Sequence, residues 1–313
     1  MLTSLFAIAF ALTKTIKKIF FLALIALSVL TLERFCHKHT DGFSVSKIRK
    51  SFTDQSIQMP IPDSVHQILE QPLRYIGRGG QCYAFSTADE KYVVKLLKYN
   101  NNYPRIWFSI SSFPFGLEIF RQKKLAKKQK KLQGEYKSYQ IAREELASET
   151  GILYFHLNQG SLPKATLLIE DKLGIVHTLA ADKYQFYIQK KGSPFYPELR
   201  HMIEQKQFEI AREAISELVT YLFKRCKKKI TDGDDGIYRN FAFQNGHPFQ
   251  IDIGQFSYND SLCSEKDYQK DLMFFTKDFR NWLEKNSPAL AEHLVNSIHE
   301  ITVLKEGLID SNL

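Results

Sequence analysis

The most apolar part of the chain is its N-terminus, where two hydrophobic runs, Leu2–Leu12 and Ile19–Leu32, flank a group of lysines. The second run is shorter than the roughly 20 residues of a membrane-spanning helix, but a few flanking residues extend it and the lysines can snorkel. Residues 1–35 are therefore predicted to be an uncleaved membrane anchor. The absence of a small-x-small cleavage site after the second run argues against a signal peptide. A signal peptide and a misassigned start codon are the two alternatives to an anchor.

Residues 36–72 are polar and contain scattered prolines, which predicts a linker. Beyond Leu73, short runs rich in β-branched and aromatic residues are separated by turns, which favours an antiparallel meander. The predicted strands are Tyr75–Ile76, Cys82–Ser86, Tyr92–Lys98, Thr166–Ile169, Ile175–Thr178, Gln185–Gln189, Asn240–Phe243 and Phe249–Ile253.

Helical periodicity dominates the second half of the chain. One apolar face recurs at steps of three and four residues through Phe208, Ala211, Ile215, Leu218 and Leu222. Other helices are predicted at about Leu117–Thr150, Lys266–Lys285 and Pro288–Lys305. The pattern thus divides the chain into a strand-rich region, 73–190, with an insertion at 100–134, and a helix-rich region, 191–313.

The composition is that of a globular protein, with 44% hydrophobic and 25% charged residues. The net charge of +9 favours anionic partners such as nucleotides or acidic lipid. The four cysteines are far apart and form no zinc-type or CxxC spacing. They predict no metal site, and they favour a reducing compartment or thiols without a special role.

The first of four features with chemical meaning is a glycine turn between two strands, containing Gly77, Gly79 and Gly80. Glycines let backbone N–H groups approach phosphate oxygens without a Cβ in the way. Taken alone, such a cluster is more often an ordinary hairpin turn.

The second feature is Lys95, inside the apolar strand run. A lysine facing a core is costly unless an anion meets it, whereas on an edge strand it would point to solvent. Glu135 is the favoured carboxylate partner, because it shares a helical face with Tyr139 and Ala142. The competing carboxylates are Glu144, Glu145 and Glu149.

The third feature is an acidic loop from Thr231 to Asn240, and the fourth is Asp252, between two isoleucines with a glycine two residues later. The loop could be a solvated turn, but an apolar strand follows it at once. A carboxylate at the end of so apolar a strand needs a partner, and a metal ion would supply one.

Together these features resemble the signature set of the protein-kinase superfamily over about residues 73–256: glycine-rich loop, strand lysine, helix glutamate, Asp-x₄-Asn loop and Asp-Phe-Gly. The resemblance implies an α+β, two-lobed kinase-like fold, with an antiparallel N-lobe sheet plus helix and a small helical C-lobe behind the membrane-anchor helix. It also implies ATP and Mg²⁺ as cofactors.

On this resemblance Lys95 would bind the nucleotide phosphates and pair with Glu135, while Asn240 and Asp252 would hold Mg²⁺. The catalytic aspartate stays open: the five-residue spacing to Asn240 selects Asp235, whereas alignment with the His-Gly-Asp of small-molecule phosphotransferases selects Asp234. The adenine-binding hinge would lie at Gln189 to Lys191.

Several departures separate the chain from protein kinases. Cys82 replaces the third loop glycine, Ile253 replaces the phenylalanine after the metal aspartate, and no His-Arg or Ala-Pro-Glu motif occurs. The chain looks closer to lipopolysaccharide-core kinases, aminoglycoside and choline phosphotransferases, and small bacterial regulatory kinase-like proteins. The leading prediction is a phosphotransferase acting on a small-molecule, lipid or saccharide hydroxyl. A catalytically impaired pseudokinase is the alternative, and a protein kinase is a third possibility.

Membrane contact is predicted through residues 1–35 and, as one of two interpretations, through the insertion 105–131, where aromatic residues precede a lysine cluster. The other interpretation is a solvated helix. Nucleic acid is a weaker expectation, because no recognition motif accompanies the lysines. Cations flank both sides of the apolar run, so the charge rule is ambiguous, and the need for nucleotide places the domain in the cytoplasm.

Overall fold

The computed structural model describes residues 2–50, 61–99, 115–158, 165–234 and 236–303. The helices are α1 (Leu2–Thr40), α2 (Asp63–Leu69), α3 (Phe115–Glu145), α4 (Ala147–Thr150), α5 (Phe195–Glu204), α6 (Phe208–Lys227), α7 (Ile237–Asn240), α8 (Glu265–Phe275), α9 (Lys277–Asn286) and α10 (Pro288–Val303). The strands are β1 (Leu73–Arg78), β2 (Cys82–Thr87), β3 (Tyr92–Leu97), β4 (Ile152–His156), β5 (Thr166–Glu170), β6 (Val176–Ala180), β7 (Phe186–Lys190), β8 (Ser193–Pro194), β9 (Ile230–Asp232), β10 (Phe241–Gln244), β11 (His247–Gln250) and β12 (Phe256–Tyr258).

The main sheet has seven strands in the order β4-β7-β3-β2-β1-β5-β6. Strands β1 to β3 form the expected antiparallel meander. The sheet is nevertheless mixed, because β1 and β5 run parallel, with Leu73 opposite Ile169. The α+β class expected from the sequence is confirmed.

Three clusters of buried side chains form the interior. One lies on a face of the sheet and includes Phe85, Val94 and Ile188. A second lies between the sheet and α3, around Tyr139 and Phe155. The third is built mainly from helices α5, α6 and α8 to α10, where the predicted face of α6 is buried from Ala211 through Leu222. Its exception is Phe208, which is exposed.

The described residues 41–50 and 61–72 are part of the folded body, whereas the sequence predicted a linker at 36–72. Phe43 is buried and packs edge-on against Tyr83 and Phe85. The backbone of Arg49 extends the sheet, since its N–H donates to Leu97 O at 2.7 Å and its carbonyl accepts from Gln185 N at 2.8 Å. Helix α2 likewise buries its apolar side chains. Proline and polar content misled the prediction because the few apolar residues here are the ones that insert.

A fully buried ion pair joins this segment to α3. Arg49 Nη2 lies 3.0 Å from Glu135 Oε1, and both side chains are almost completely excluded from solvent. The same carboxylate oxygen accepts the Tyr139 hydroxyl at 2.7 Å. The guanidinium also lies 5.9 Å from the centre of the Tyr136 ring. The residues just after α1 are therefore coupled electrostatically to the helix that covers the sheet.

Helix α1 is long and apolar enough to cross a membrane. Its segment Phe20–Thr40 has a mean hydropathy of 1.6, and none of that segment is buried against the rest of the protein. Length and composition thus agree with the predicted anchor. The helix continues past residue 35, to Thr40.

We expect Arg49→Ala to lower the free energy of unfolding by about 3–5 kcal/mol, because Glu135 would remain buried without its counter-charge. The double variant Arg49→Met/Glu135→Leu should recover most of this loss, since no buried charge remains. Urea unfolding measures both. The matched control is Arg74→Ala, which removes the exposed Arg74–Glu170 pair and should cost about 0–1 kcal/mol. An Arg49→Ala variant as stable as this control would contradict the account.

Candidate functional site

Most of the predicted site residues line one cleft beside the main sheet. Its volume is about 290 Å³, at the lower end of the roughly 300–1,000 Å³ typical of ligand sites. The predicted residues in its wall are Gly77, Gly79, Gly80, Lys95, Gln189, Lys191 and Asp252. Other grooves in the described part of the chain are larger, and the two largest of them, of about 540 and 620 Å³, lack this combination of glycine turn, lysine and carboxylate.

The glycine turn leaves open space rather than accommodating a packed neighbour. A Cβ at Gly77 or Gly80 would meet no atom within 4 Å. The turn is closed by Gly79, whose N–H donates to Cys82 O at 2.9 Å and whose carbonyl accepts from Lys98 Nζ at 2.5 Å. The absence of side chains here therefore keeps the backbone of the turn accessible to a ligand.

Lys95 carries a desolvated ammonium group into the cleft. Strand β3 holds it opposite Tyr187 of β7, and its Nζ lies 5.4 Å from the centre of that ring. The ammonium donates to Ile251 O at 2.6 Å. Burial lowers its pKa, which nearby Asp252 partly offsets. An anion in the cleft would stabilise the charged form of this lysine.

The expected ion pair between Lys95 and Glu135 is not formed among the described residues. Glu135 pairs instead with Arg49, and its second oxygen, Oε2, is buried without a hydrogen-bond partner in the described part of the chain. The helical pattern correctly predicted that Glu135 faces inward, but it could not show a competing cation 86 positions earlier. The reason for the difference is Arg49, which the linker prediction had left outside the fold.

A chain of hydrogen bonds runs from this ion pair to the cleft. The Tyr139 hydroxyl, which donates to Glu135, lies 3.2 Å from Gln81 Oε1 in the glycine turn. Gln81 in turn donates its amide N–H to Gly254 O at 3.2 Å. A Cβ on Gly254 would lie 2.0 Å from Gln81 Oε1, so glycine makes room for that amide. The glycine turn and the Asp252 strand are thereby tied to one another.

Asn240 and Asp252 are neighbours through the backbone. The carbonyl of Asn240 accepts from Ile251 N at 2.7 Å and from Asp252 N at 3.4 Å. The Asn240 side-chain N–H donates to Asp234 O at 3.0 Å, which leaves its amide oxygen as the ligand atom. Asp252 Oδ1 accepts from Gly254 N at 3.1 Å. These are hard oxygen donors of the kind that Mg²⁺ prefers.

The described residues contain no group of three or more His, Cys, Asp or Glu side chains that could hold a metal. A metal at Asn240 and Asp252 would therefore take its other ligands from water and from a bound phosphate. Mg²⁺ in nucleotide sites is commonly held in this way, through one or two carboxylates plus substrate oxygens. The pair fits Mg²⁺ in that role.

Of the two candidate catalytic aspartates, Asp234 has described contacts. Asp234 Oδ1 accepts from Gly236 N at 3.1 Å and lies 3.4 Å from Arg239 Nη2. Asp235 lies outside the described residues. The choice between the two aspartates stays as the sequence left it.

Gln189 and Lys191 lie in the cleft wall, but their polar groups are partly engaged. The Gln189 side chain donates to Thr150 O at 2.5 Å and to Gln250 O at 3.1 Å. The N–H groups of Lys190 and Lys191 donate to Gly151 O and Lys91 O. An adenine in the predicted hinge would therefore meet backbone already paired at these two N–H groups.

Asp232, for which the sequence predicted no role of its own, has a raised pKa. Burial raises the pKa of Asp232 to about 6, although Arg225 and a hydrogen bond from Gln250 oppose this. Gln250 Nε2 donates to Asp232 Oδ2 at 2.5 Å and to Asp252 O at 3.0 Å. Arg225 Nη1 is 4.0 Å from the same carboxylate oxygen. Only the folding of β9 against β12 brings this aspartate inside.

Other cleft residues also carried no sequence signal. Tyr187 and Arg239 line the cleft, the first from the strand before the predicted hinge and the second from α7. Arg239 directly precedes the predicted ligand Asn240, but neither its own residue type nor that of Tyr187 indicated a role. Proximity to Lys95 and Asp252 arises only from the tertiary fold.

Comparisons with known proteins give no family. No protein-family model and no curated protein matches the chain. Among solved structures, a 2.2 Å crystal structure of WbdD is similar, with a TM-score of 0.34 and 16% identity over 70% of this chain and 43% of that one. A second structure, of "the bifunctional kinase-methyltransferase WbdD", has a TM-score of 0.32 and 18% identity over 70% and 42%. The chain spans less than half of those proteins, and TM-scores this low establish no common fold.

The raised pKa of Asp232 predicts a pH-dependent stability. The folded state binds this proton more tightly than the unfolded state, so the group's contribution to stability falls as pH rises from about 4 to about 6. Asp232→Asn removes the titration. The stability of the variant relative to wild type should therefore rise across that window, by about 3 kcal/mol in total. Urea unfolding at pH 4, 5, 6 and 7 measures the difference.

The matched control for this prediction is Asp260→Asn, at an exposed aspartate. Its stability relative to wild type should show no comparable rise between pH 4 and 6. A difference between Asp232→Asn and wild type that stays constant with pH would contradict the assignment of a raised pKa to Asp232.

Proposed function

We propose that residues 73–256 form a kinase-like, two-lobed nucleotide-binding fold that uses ATP and Mg²⁺ to phosphorylate a hydroxyl group. The observation that carries this proposal is the convergence of the glycine turn, Lys95 and Asp252 in one cleft, with Asn240 beside Asp252. These groups come from separate parts of the chain. Each alone has a plainer explanation, but an open glycine turn facing a half-buried lysine and an oxygen-donor pair suits a polyphosphate with its metal.

In this proposal the glycine turn and Lys95 hold the phosphates. Asn240 and Asp252 supply oxygen ligands, and the bound Mg²⁺ would neutralise charge that develops on the transferred group. Lys95 would exchange its bond to Ile251 O for phosphate oxygens, which supports its charged form. The hinge segment Gln189 to Lys191 would border the base.

The general base is assigned to Asp234 or Asp235, which would orient the acceptor hydroxyl and take its proton. Asp234 approaches Arg239, and Arg239 lines the cleft, so this loop lies next to the proposed donor site. The five-residue spacing to Asn240 still favours Asp235 on sequence grounds. Replacing each aspartate singly and measuring turnover would show which of the two is the general base.

A groove on the other side of α7 is the proposed entry for the acceptor. Consecutive residues of α7 line different cavities, Arg239 the cleft and Tyr238 a groove of about 620 Å³. That groove also contains Trp282, Arg200 and Glu204. Aromatic faces beside polar, charged ends suit a compact polyhydroxylated molecule, so the proposed acceptor is a small-molecule, lipid or saccharide hydroxyl.

A second candidate function is a pseudokinase, which binds nucleotide or acts as a scaffold without transfer. The observation that favours it is the ion pair between Arg49 and Glu135, because Glu135 was expected to pair with Lys95. Paired N–H groups in the proposed hinge add to it. Phosphotransfer activity distinguishes the two, and the identity of the acceptor distinguishes a small-molecule kinase from a protein kinase.

Thermal unfolding of the full chain with and without Mg-ATP tests nucleotide binding. At a ligand concentration of about 100 times Kd, we expect the free energy of unfolding to rise by about 2.7 kcal/mol. Lys95→Met and Asp252→Asn should abolish the shift, since they remove the phosphate and metal contacts. Lys137→Ala, an exposed lysine of α3, is the control and should keep the wild-type shift.

Two outcomes would contradict the proposal. One is a wild-type protein that does not respond to Mg-ATP. The other is a shift that Lys95→Met and Asp252→Asn leave intact, which would place the nucleotide elsewhere. A shift with no phosphate transfer to any acceptor, and no hydrolysis of ATP, would support the pseudokinase.

A further inference from the structure

The turn between β5 and β6 is an exposed apolar tip at the point where α1 joins the body. Leu173, Ile175 and Val176 are each more than half exposed, at 54%, 52% and 62%. Isolated apolar side chains on a surface need no explanation, but three neighbours on one turn form a patch. The patch has no partner within the described part of the chain.

Hydrogen bonds hold the backbone of this turn in one conformation, which fixes the positions of its apolar side chains. Asp171 accepts the N–H groups of Leu173 and Ile175 at 2.9 and 3.1 Å, and its other oxygen lies 2.8 Å from His177 Nε2. The N–H of Gly174, which has a positive φ of 79°, donates to Asp171 O at 3.0 Å. The backbone thus fixes where the apolar side chains point.

Three contacts attach this turn and the neighbouring strand to the end of α1. Lys172 Nζ lies 3.0 Å from Asp41 Oδ1, and the Tyr75 hydroxyl donates to Asp41 Oδ2 at 3.1 Å. Arg78 Nη1 donates to Asp41 O at 2.8 Å. The hydrogen bond from Lys172 holds the pKa of Asp41 below its usual value. Asp41 follows the last residue of α1.

The distance along α1 sets the level of the turn relative to a bilayer. Phe35, the last large apolar residue of the helix, precedes Asp41 by six residues, which is about 9 Å of helix. The headgroup layer on each side of a bilayer is roughly 5–7 Å thick. If α1 crosses a membrane, the turn bound to Asp41 therefore lies at the headgroup surface, where apolar tips beside a lysine are stabilised.

We propose that the β5–β6 turn is a second membrane contact, in which Leu173, Ile175 and Val176 enter the headgroup layer of the bilayer that α1 spans. The helix would tether the protein, and the turn would fix the orientation of the body on the surface. This contact is independent of the insertion at 105–131. It does not depend on nucleotide binding.

A fluorescence measurement on the full chain in vesicles tests the contact. The exposed Cys36 and Cys263 are replaced by serine, and Ile175→Cys is labelled with an environment-sensitive NBD fluorophore. The vesicles contain phosphatidylcholine and phosphatidylglycerol, with or without phosphatidylcholine spin-labelled in its headgroup. We expect the spin label to reduce emission from position 175 by about half or more. The matched control is Phe274→Cys on α8, an apolar position that is also more than half exposed, which should be quenched little.

Emission from position 175 that is quenched no more than emission from position 274 would overturn the proposal. Protection from aqueous iodide without quenching by the spin-labelled lipid would also overturn it, because a second copy or another protein would then cover the turn. As a further check, Leu173→Glu/Val176→Glu should abolish lipid quenching at position 175 while the protein still resists carbonate extraction. Retained quenching in that variant would contradict a contact made by these side chains.

Discussion

The buried ion pair between Arg49 and Glu135 is the constraint on which the arrangement around the cleft depends. Two charges removed from water require one another, because either alone would cost several kcal/mol. The pair fixes the segment after α1 in the sheet and turns Glu135 of α3 toward the interior. Through Tyr139 it continues to Gln81 and the glycine turn. The segment after α1 and the cleft are therefore connected by an ion pair and hydrogen bonds.

Elements with a strong local period could be predicted from the sequence, whereas those created by tertiary contact could not. The strand β3 and the amphipathic helix α6 follow from alternation and from steps of three and four residues. The predicted helix at Lys266–Lys285 is in fact two, α8 and α9, because the backbone of Thr276, with φ −90° and ψ 3°, departs from helical geometry between them. Strand β4 and the parallel pairing of β1 with β5 left no signal, since pairing partners far apart in sequence set them.

For the candidate site, the sequence was enough to recognise the residues whose chemistry is unusual for their surroundings, but it did not show which residues they contact. A lysine in an apolar strand and an aspartate between isoleucines stand out because burial of either is costly, and both lie in the cleft. The partner of Glu135 was mistaken, because Arg49 lies in a segment whose composition resembles a linker. Asp232 was overlooked, because only the surrounding Gln250 and Arg225 distinguish it from its acidic neighbours. One cleft residue, Arg78, also binds Asp41, so a nucleotide site here would lie close to the end of α1.

Photo-crosslinking with 8-azido-ATP and Mg²⁺, followed by mass spectrometry of the peptides, tests most directly whether the cleft is the nucleotide site. The account predicts that the label falls on the glycine turn, 76–84, or on the hinge strand, 187–192, and that excess ATP removes it. Lys95→Met should lose the same label. Labelling confined to the groove of α5 and α9, or labelling that ATP does not compete away, would contradict it.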